Sequence, residues 1–227
     1  QIPRWLTFTD RVLESNRNNP APSRPMQETP ERDPHWNDPV MEGRKLTAGR
    51  TDYFLTSSTP IFTRPQIDLL KSLVDAENSP AGIEGYGETT PGDTERQRRT
   101  RVRWLNADDY RWVYEVIWAE ASRANALFQF DVVPMWDTIQ LALYDAAEEG
   151  FFRWHADTIP SDLTRKISIS VPLSDPGDYA GGILELNSNG AIRRPPQRAG
   201  VPIMFPSWMI HRVTPVTVGK RYSLVAW

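Results

Sequence analysis

His155 and Asp157, separated by one alanine, are joined late in the chain by His211 in Pro206-Ser-Trp-Met-Ile-His211-Arg-Val-Thr-Pro-Val216. Two imidazole nitrogens and one carboxylate oxygen on one face of a metal leave the opposite positions open, which is the ligand set that keeps Fe(II) accessible to oxygen. On an extended strand residues i and i+2 share a face, so His155 and Asp157 can reach one ion, and His211 is expected to close the set from across the fold. The sequence holds 3 histidines, two of them in this set. His35, in Asp33-Pro-His-Trp-Asn-Asp-Pro39, lacks such company and reads as structural or exposed.

The chain closes on Gly219-Lys-Arg221-Tyr-Ser223-Leu-Val-Ala-Trp227. In a strand Arg221 and Ser223 stand side by side, a guanidinium fork and a hydroxyl suited to one carboxylate, while Lys220 points to the other face.

From about Gln140 to Trp227 the chain resembles the Fe(II)/2-oxoglutarate-dependent dioxygenases of the prolyl 4-hydroxylase type. The residues that carry the resemblance are Tyr144, Gly150-Phe-Phe-Arg-Trp-His155-Ala-Asp157, Leu173-Ser-Asp-Pro-Gly-Asp-Tyr-Ala-Gly181-Gly182 and the segment from His211 to Trp227. The resemblance implies Fe(II) as cofactor, 2-oxoglutarate and O2 as cosubstrates, and His155, Asp157 and His211 as the metal ligands. It assigns Arg221 and Ser223 to the distal carboxylate of 2-oxoglutarate and adds the Tyr144 hydroxyl as a further donor, with a packed aromatic as the alternative for Tyr144. Related halogenases replace the ligand carboxylate by a small residue; Asp157 is intact, so hydroxylation of an unactivated C–H bond is the implied reaction. Arg153 shares strand parity with His155 and is expected at the mouth of the site, where it would suit a substrate carboxylate, whereas Trp154 faces the opposite way, into core.

A chain of 227 residues with 39% hydrophobic content and 9 Trp can bury a sizeable core. A net charge of −3 gives no case for nucleic acid or an anionic membrane. With 0 Cys, disulfides and thiolate metal sites are excluded. No apolar run approaches the length of a membrane span and the first residues lack a signal-peptide core, so a soluble, cytoplasmic protein is expected, a trimmed leader being left open.

Residues 1–60 are polar and proline-rich and cannot build a core of their own, so they are expected to wrap the catalytic domain, residues 61–227, or to stay disordered. Pro65 opens an amphipathic helix over Arg64 to Asp75. The glycines between Asn78 and Asp93 read as a mobile loop, a candidate lid. Arg99, Arg101 and Arg103 alternate along a half-buried strand whose basic face is either solvated or substrate-contacting. A second helix is expected to start at Asn106-Ala-Asp-Asp, burying Tyr110, Val113, Tyr114, Ile117, Trp118, Ala121 and Ala124.

Beyond Asn125 the pattern is of short strands, at 127–133, 138–145, 150–156, 165–172, 182–187, 191–194, 201–205, 208–213 and 220–226, with turns at Asp175-Pro-Gly, Ser188-Asn-Gly190, Ala199-Gly200 and Val218-Gly219. The fold class expected is mainly β with flanking helices, a double-stranded β-helix or jelly roll with its core at about 127–227. Substrates compatible with the sequence are a peptidyl proline or other protein side chain, a free amino acid or a small metabolite; oligomeric state is not legible. Two other readings are a non-catalytic jelly-roll binding module and a cupin-like metal enzyme without cosubstrate, and the latter gives no reason for Arg221 and Ser223 on one face.

Overall fold

The computed structural model describes residues 54–82, 91–134, 138–158 and 163–227. The expected wrapping of the proline-rich segment falls outside these residues for 1–53, and so does most of the candidate lid. The elements are β1 (Leu55–Thr56), α1 (Arg64–Ala76), β2 (Ser79–Pro80), α2 (Pro91–Gln97), β3 (Arg98–Arg99), β4 (Arg101–Leu105), α3 (Arg111–Phe128), β5 (Ile139–Asp145), β6 (Phe151–His155), β7 (Ile167–Pro172), β8 (Tyr179–Gly181), β9 (Leu184–Ser188), β10 (Ala191–Arg193), β11 (Ile203–Pro206), β12 (His211–Val213) and β13 (Val216–Ala226). Among the described residues no helix is long and apolar enough to cross a membrane.

The strands form two antiparallel sheets. One runs β1-β11-β7-β13-β5-β4-β2, with β8 paired to β13, and the other runs β10-β9-β12-β6-β3. The larger sheet is covered on both faces. Ile139, Leu141 and Leu143 of β5, Ile167, Ile169 and Val171 of β7, and Tyr222, Leu224 and Ala226 of β13 belong to one core with Ile67, Leu70 and Val74 of α1 and Val113, Tyr114, Ile117 and Ala124 of α3. The opposite face, turned to the smaller sheet, shares a second core in which Ala142, Tyr144, Ile203 and Phe205 meet Leu184, Leu186, Met209 and Val213. This is the expected jelly roll, buttressed by helices, but its apolar alternation runs inverted on the central strands. The isoleucines and leucines point out to the helices, while Gln140, Ser168, Ser170, Arg221 and Ser223 point into the space between the sheets. A sheet buried on both faces can afford polar residues on one of them only if they serve each other or a ligand.

Helix α1 begins and ends close to its expected limits. The Thr63 backbone N–H donates to Gln66 Oε1 at 2.8 Å, and the side chain of Asn78 closes the far end on the Val74 carbonyl at 2.6 Å. Elsewhere local polar contacts shift the expected boundaries. Asn106 does not cap α3 but holds a local turn, its Oδ1 accepting the Asp109 N–H at 2.9 Å, so that α3 starts only at Arg111. The strand expected at 127–133 is absent: α3 continues through Phe128, and Gln129 then takes the left-handed conformation (φ 58°). The Asn125 side chain next holds both the N–H and the carbonyl of Phe130, at 2.9 Å each. A helix, α2, opens at Pro91 where a continuous loop was expected.

The arginine alternation does not make one strand. At Thr100 the chain turns from the smaller sheet, where β3 pairs β6, to the larger, where β4 pairs β5. The row is engaged structurally: Arg99 pairs with Glu149 at 2.8 Å, Arg101 with Asn78 and Glu148, and Arg103 with Glu77 at 3.0 Å.

The turn expected at Val218-Gly219 is likewise absent, since β13 runs unbroken from Val216 to Ala226. Gly219 (φ 70°) lets it pass against β8, where a Cβ would lie 2.3 Å from the Asp178 carbonyl oxygen. On the partner strand, Gly181 (φ 74°) leaves only 2.0 Å between a Cβ and the Pro215 carbonyl oxygen. Gly181→Ala is therefore expected to destabilise the fold by more than the ~1–2 kcal/mol that a left-handed backbone alone costs. Gly177→Ala, with nothing within 4 Å of the added carbon, should be nearly neutral. Thermal melts of the two variants compare them directly.

Candidate metal centre

The three metal-type side chains come together where the smaller sheet meets the end of β11. His155 closes β6 and His211 opens β12, and the two are direct cross-strand partners. They are thus neighbours on adjacent strands, not ligands facing each other across the fold as expected. Asp157 lies just beyond β6, its N–H donating to the Ser207 carbonyl at 2.9 Å. The Asp157 oxygens stand 3.6 Å from His155 Nε2 and 3.5 Å from His211 Nε2, and all three side chains are nearly fully buried.

The imidazoles are oriented for a cation. His155 Nδ1 lies 2.7 Å from the Arg153 carbonyl and His211 Nδ1 lies 2.8 Å from the Met209 carbonyl. A carbonyl can only accept, so Nδ1 carries a proton in each ring and Nε2 is the atom turned toward Asp157. Burial, and after it the neighbouring His211, push the His155 imidazole down to about 3, against the pull of Asp157, which keeps it neutral at physiological pH. Burial opposes ionisation of Asp157, but His211, His155, the Ser168 hydroxyl and the Trp227 indole outweigh it and hold the carboxyl below its usual range. The Trp227 N–H acts there without a hydrogen bond of ordinary geometry. The donor set of two imidazoles and one carboxylate fits Fe(II).

The cavity reached from these ligands, about 50 Å³ in volume, takes in Tyr144, Arg221 and Ser223 together with His155, Asp157 and His211. Arg221 is 1% exposed, and its Nη1 lies 3.1 Å from Ser223 Oγ, as strand parity requires. Its guanidinium sits over the Tyr144 ring, 5.1 Å from the centroid, and Tyr144 is its cross-strand partner. Gly182 makes room for the arginine stem, since a Cβ there would lie 2.8 Å from Arg221 Cδ. Lys220 turns away to Asp145 at 3.6 Å. Among the described residues no carboxylate pairs with Arg221, and its Nε has no hydrogen-bond partner. A buried cation costs several kcal/mol without a counter-charge, so the cavity is built for an anion. A dicarboxylate such as 2-oxoglutarate fits that demand.

Arg153 is not part of the cavity. It is exposed, its Nε donates to the Arg96 carbonyl at 2.5 Å, and its guanidinium lies over Phe151 in a separate groove on the outer face of the smaller sheet. The parity expectation fails because β6 is bulged: His211 pairs with His155 but Val213 pairs with Phe152, so that Arg153 and Trp154 together oppose Arg212. The bulge turns Phe152 inward, stacked 3.5 Å from the His155 ring, and sends Arg153 out. Trp154 lies in the same outer groove under Arg212 rather than in core. Arg153→Ala is accordingly expected to leave 2-oxoglutarate-dependent succinate formation unchanged, as a coupled assay would read.

Sequence reasoning missed Arg98, Gln140, Phe152, Ser168 and Trp227 as cavity residues. Arg98, from β3, reaches Gln140 Oε1 at 2.5 Å and lies over Phe152. Ser168 and Gln140 did carry a signal, a polar residue at every second place between aliphatic ones, but reading it inward needs the helices on the other face.

Residues 139–227 match the model of the 2OG-Fe(II) oxygenase superfamily. A PKHD-type hydroxylase of Synechococcus sp. (strain JA-2-3B'a(2-13)) is 34% identical over 123 residues, 52% of this chain and 54% of that protein. Another PKHD-type hydroxylase, from Thermosynechococcus vestitus, is 30% identical over 174 residues, 74% of each chain. The chain thus spans about half the length of the first of these curated relatives and about three quarters of the second. Among solved structures, a Pseudomonas putida prolyl-4-hydroxylase superposes with a TM-score of 0.58 at 20% identity, covering 76% of this chain and 89% of that one. A prolyl hydroxylase from Trichoplax adhaerens, in complex with a hypoxia inducible factor oxygen degradation domain peptide fragment, gives 0.62 at 16% identity, covering 82% and 84%. By its matched domain and by a PKHD-type hydroxylase relative aligned over 74% of each chain, the chain belongs to the 2OG-Fe(II) oxygenase superfamily, and its jelly-roll fold agrees.

Proposed function

We propose that the protein is an Fe(II)- and 2-oxoglutarate-dependent hydroxylase acting on an amino-acid side chain of a polypeptide, peptidyl proline being the first candidate. The observation that carries this reading is the buried, carboxylate-free guanidinium of Arg221 in the same cavity as the His155, Asp157 and His211 ligand set. When bound, Fe(II) with 2-oxoglutarate and O2 supplies an oxidation in which one oxygen atom goes to succinate, formed with loss of CO2, and the other to a substrate C–H bond.

The protein's part is position and exclusion. Arg221 and Ser223 hold the distal carboxylate, and Tyr144 underlies the guanidinium. Leu184, Phe205, Val213 and Val225 give the cavity apolar walls that keep water from competing with the cosubstrate. His155 and His211, fixed through Nδ1 on backbone carbonyls, keep Nε2 aimed at the ion. Support for a polypeptide substrate comes from the prolyl hydroxylase likenesses, one of them a peptide complex. The test is incubation with Fe(II), 2-oxoglutarate and a panel of proline-containing peptides and free amino acids. A gain of one oxygen mass on a peptide, with stoichiometric succinate, is expected. Modification of free amino acids alone would reassign the substrate class, and no succinate with any partner would favour a binding module.

A further inference from the structure

We propose that Ser168 sets how Asp157 holds the metal: its hydrogen bond to Oδ2 makes that oxygen the poorer ligand and favours binding through Oδ1. The inference rests on the reading of the cavity as an Fe(II)/2-oxoglutarate site. Ser168 lies on β7, on the larger sheet, and its Oγ is 2.6 Å from Asp157 Oδ2. That is short even for a hydroxyl donating to a carboxylate. Ser168 Oγ is also 3.0 Å from Ser207 Oγ, and both serines are fully enclosed, at 1% and 0% exposure. A hydroxyl has one hydrogen to give; with the carboxylate unable to donate, Ser168 gives its own to Asp157 and receives that of Ser207.

Ser207 fixes the same residue from the backbone side. Its carbonyl accepts the N–H groups of Asp157 and Thr158 at 2.9 and 3.1 Å, while its own N–H donates to the Lys166 carbonyl at 3.0 Å. The residue is thus gripped at Oδ2 by β7 and at its main chain by the turn after β11, while Oδ1 faces His155 Nε2 at 3.6 Å and Oδ2 faces His211 Nε2 at 3.5 Å.

The consequence is a count of open positions. A carboxylate that chelates through both oxygens, with two imidazoles, would fill four places of an octahedral ion and leave two, enough for a 2-oxo acid but not for O2 as well. One oxygen leaves three. Ser168 is therefore a positioning residue that protects the third place, touching neither cosubstrate nor metal.

Ser168→Val and Ser168→Thr test this, since they match in size and differ in the hydroxyl. The protein is loaded with Co(II), which reports coordination through its visible d–d absorption, and is then titrated with 2-oxoglutarate. The threonine variant should match wild type. The valine variant should bind Co(II) as tightly or more tightly, show an altered d–d spectrum before cosubstrate is added, and bind 2-oxoglutarate more weakly by about 10-fold or more, each 10-fold being a difference of ~1.4 kcal/mol. Circular dichroism checks the fold, and Ser168→Ala carries the same comparison should valine not be accommodated. A variant lacking the hydroxyl with wild-type spectrum and cosubstrate affinity overturns the inference, as does a parallel loss of both affinities, which mere loosening would give. Co(II) bound equally well by His211→Ala would instead overturn the reading of the site itself, and this inference with it.

Discussion

Replacing His155, Asp157 or His211 by alanine is expected to abolish 2-oxoglutarate turnover while leaving the fold in place. Each would supply one of the three protein ligands of the proposed metal site, and none belongs to the apolar cores that hold the sheets together. The three will not be equal in their structural side effects. His155 loses a ring stacked on Phe152, and Asp157 leaves Ser168 without its acceptor, so Asp157→Ala should cost the most stability of the three, by about 1–3 kcal/mol for an unsatisfied buried group. Succinate release and thermal melts on the same preparations separate the two effects; full turnover in any of the three would remove that residue from the ligand set. Zn(II), Ni(II) and Co(II) are expected to occupy the wild-type site and inhibit, because affinity order does not single out iron.

Arg221→Ala should act on the cosubstrate and not on the metal. Among the described residues the guanidinium is the one charged group of the cavity's larger-sheet wall, buried with Ser223 and Tyr144 as its neighbours. Truncating one member of a buried charge pair costs roughly 3–5 kcal/mol, so the 2-oxoglutarate concentration needed for half-maximal turnover should rise by about two to four powers of ten. Metal affinity in the absence of cosubstrate should hardly move. Lys220→Ala, on the opposite face, half-exposed and paired with Asp145, should resemble wild type in both respects. A steep loss in the lysine variant with none in the arginine variant would contradict the assignment.

The ligand set and the Arg221 and Ser223 pair were legible because strand parity and spacing are local properties, and β13 keeps its alternation from Arg221 to Val225 without a break. Arg153 was misread for the complementary reason. One extra residue in β6 reverses parity, and nothing in Phe151-Phe-Arg-Trp-His155 announces the bulge, which exists only against β12. The end of α3 was hidden by composition: Leu127, Phe128, Phe130, Val132 and Val133 are good strand formers, but Leu127 and Phe128 pack on the core as helix, and the Asn125 side chain turns the chain at Phe130. Ser168 shows a third kind of limit. Its place between Ile167 and Ile169 marks one polar face of a strand, yet a polar face ordinarily means solvent, and only the packing of α1 and α3 over the isoleucines makes it the lining of a site.

The central claim is that one cavity holds both an Fe(II) ligand set and the carboxylate site of 2-oxoglutarate. Its most direct test is an anaerobic titration of the Fe(II)-loaded protein with 2-oxoglutarate, followed by visible absorption. A charge-transfer band that saturates at one equivalent in wild type, is lost in His211→Ala, and needs far more 2-oxoglutarate in Arg221→Ala is the result expected. A folded wild-type protein that binds Fe(II) but develops no band at any 2-oxoglutarate concentration would contradict it.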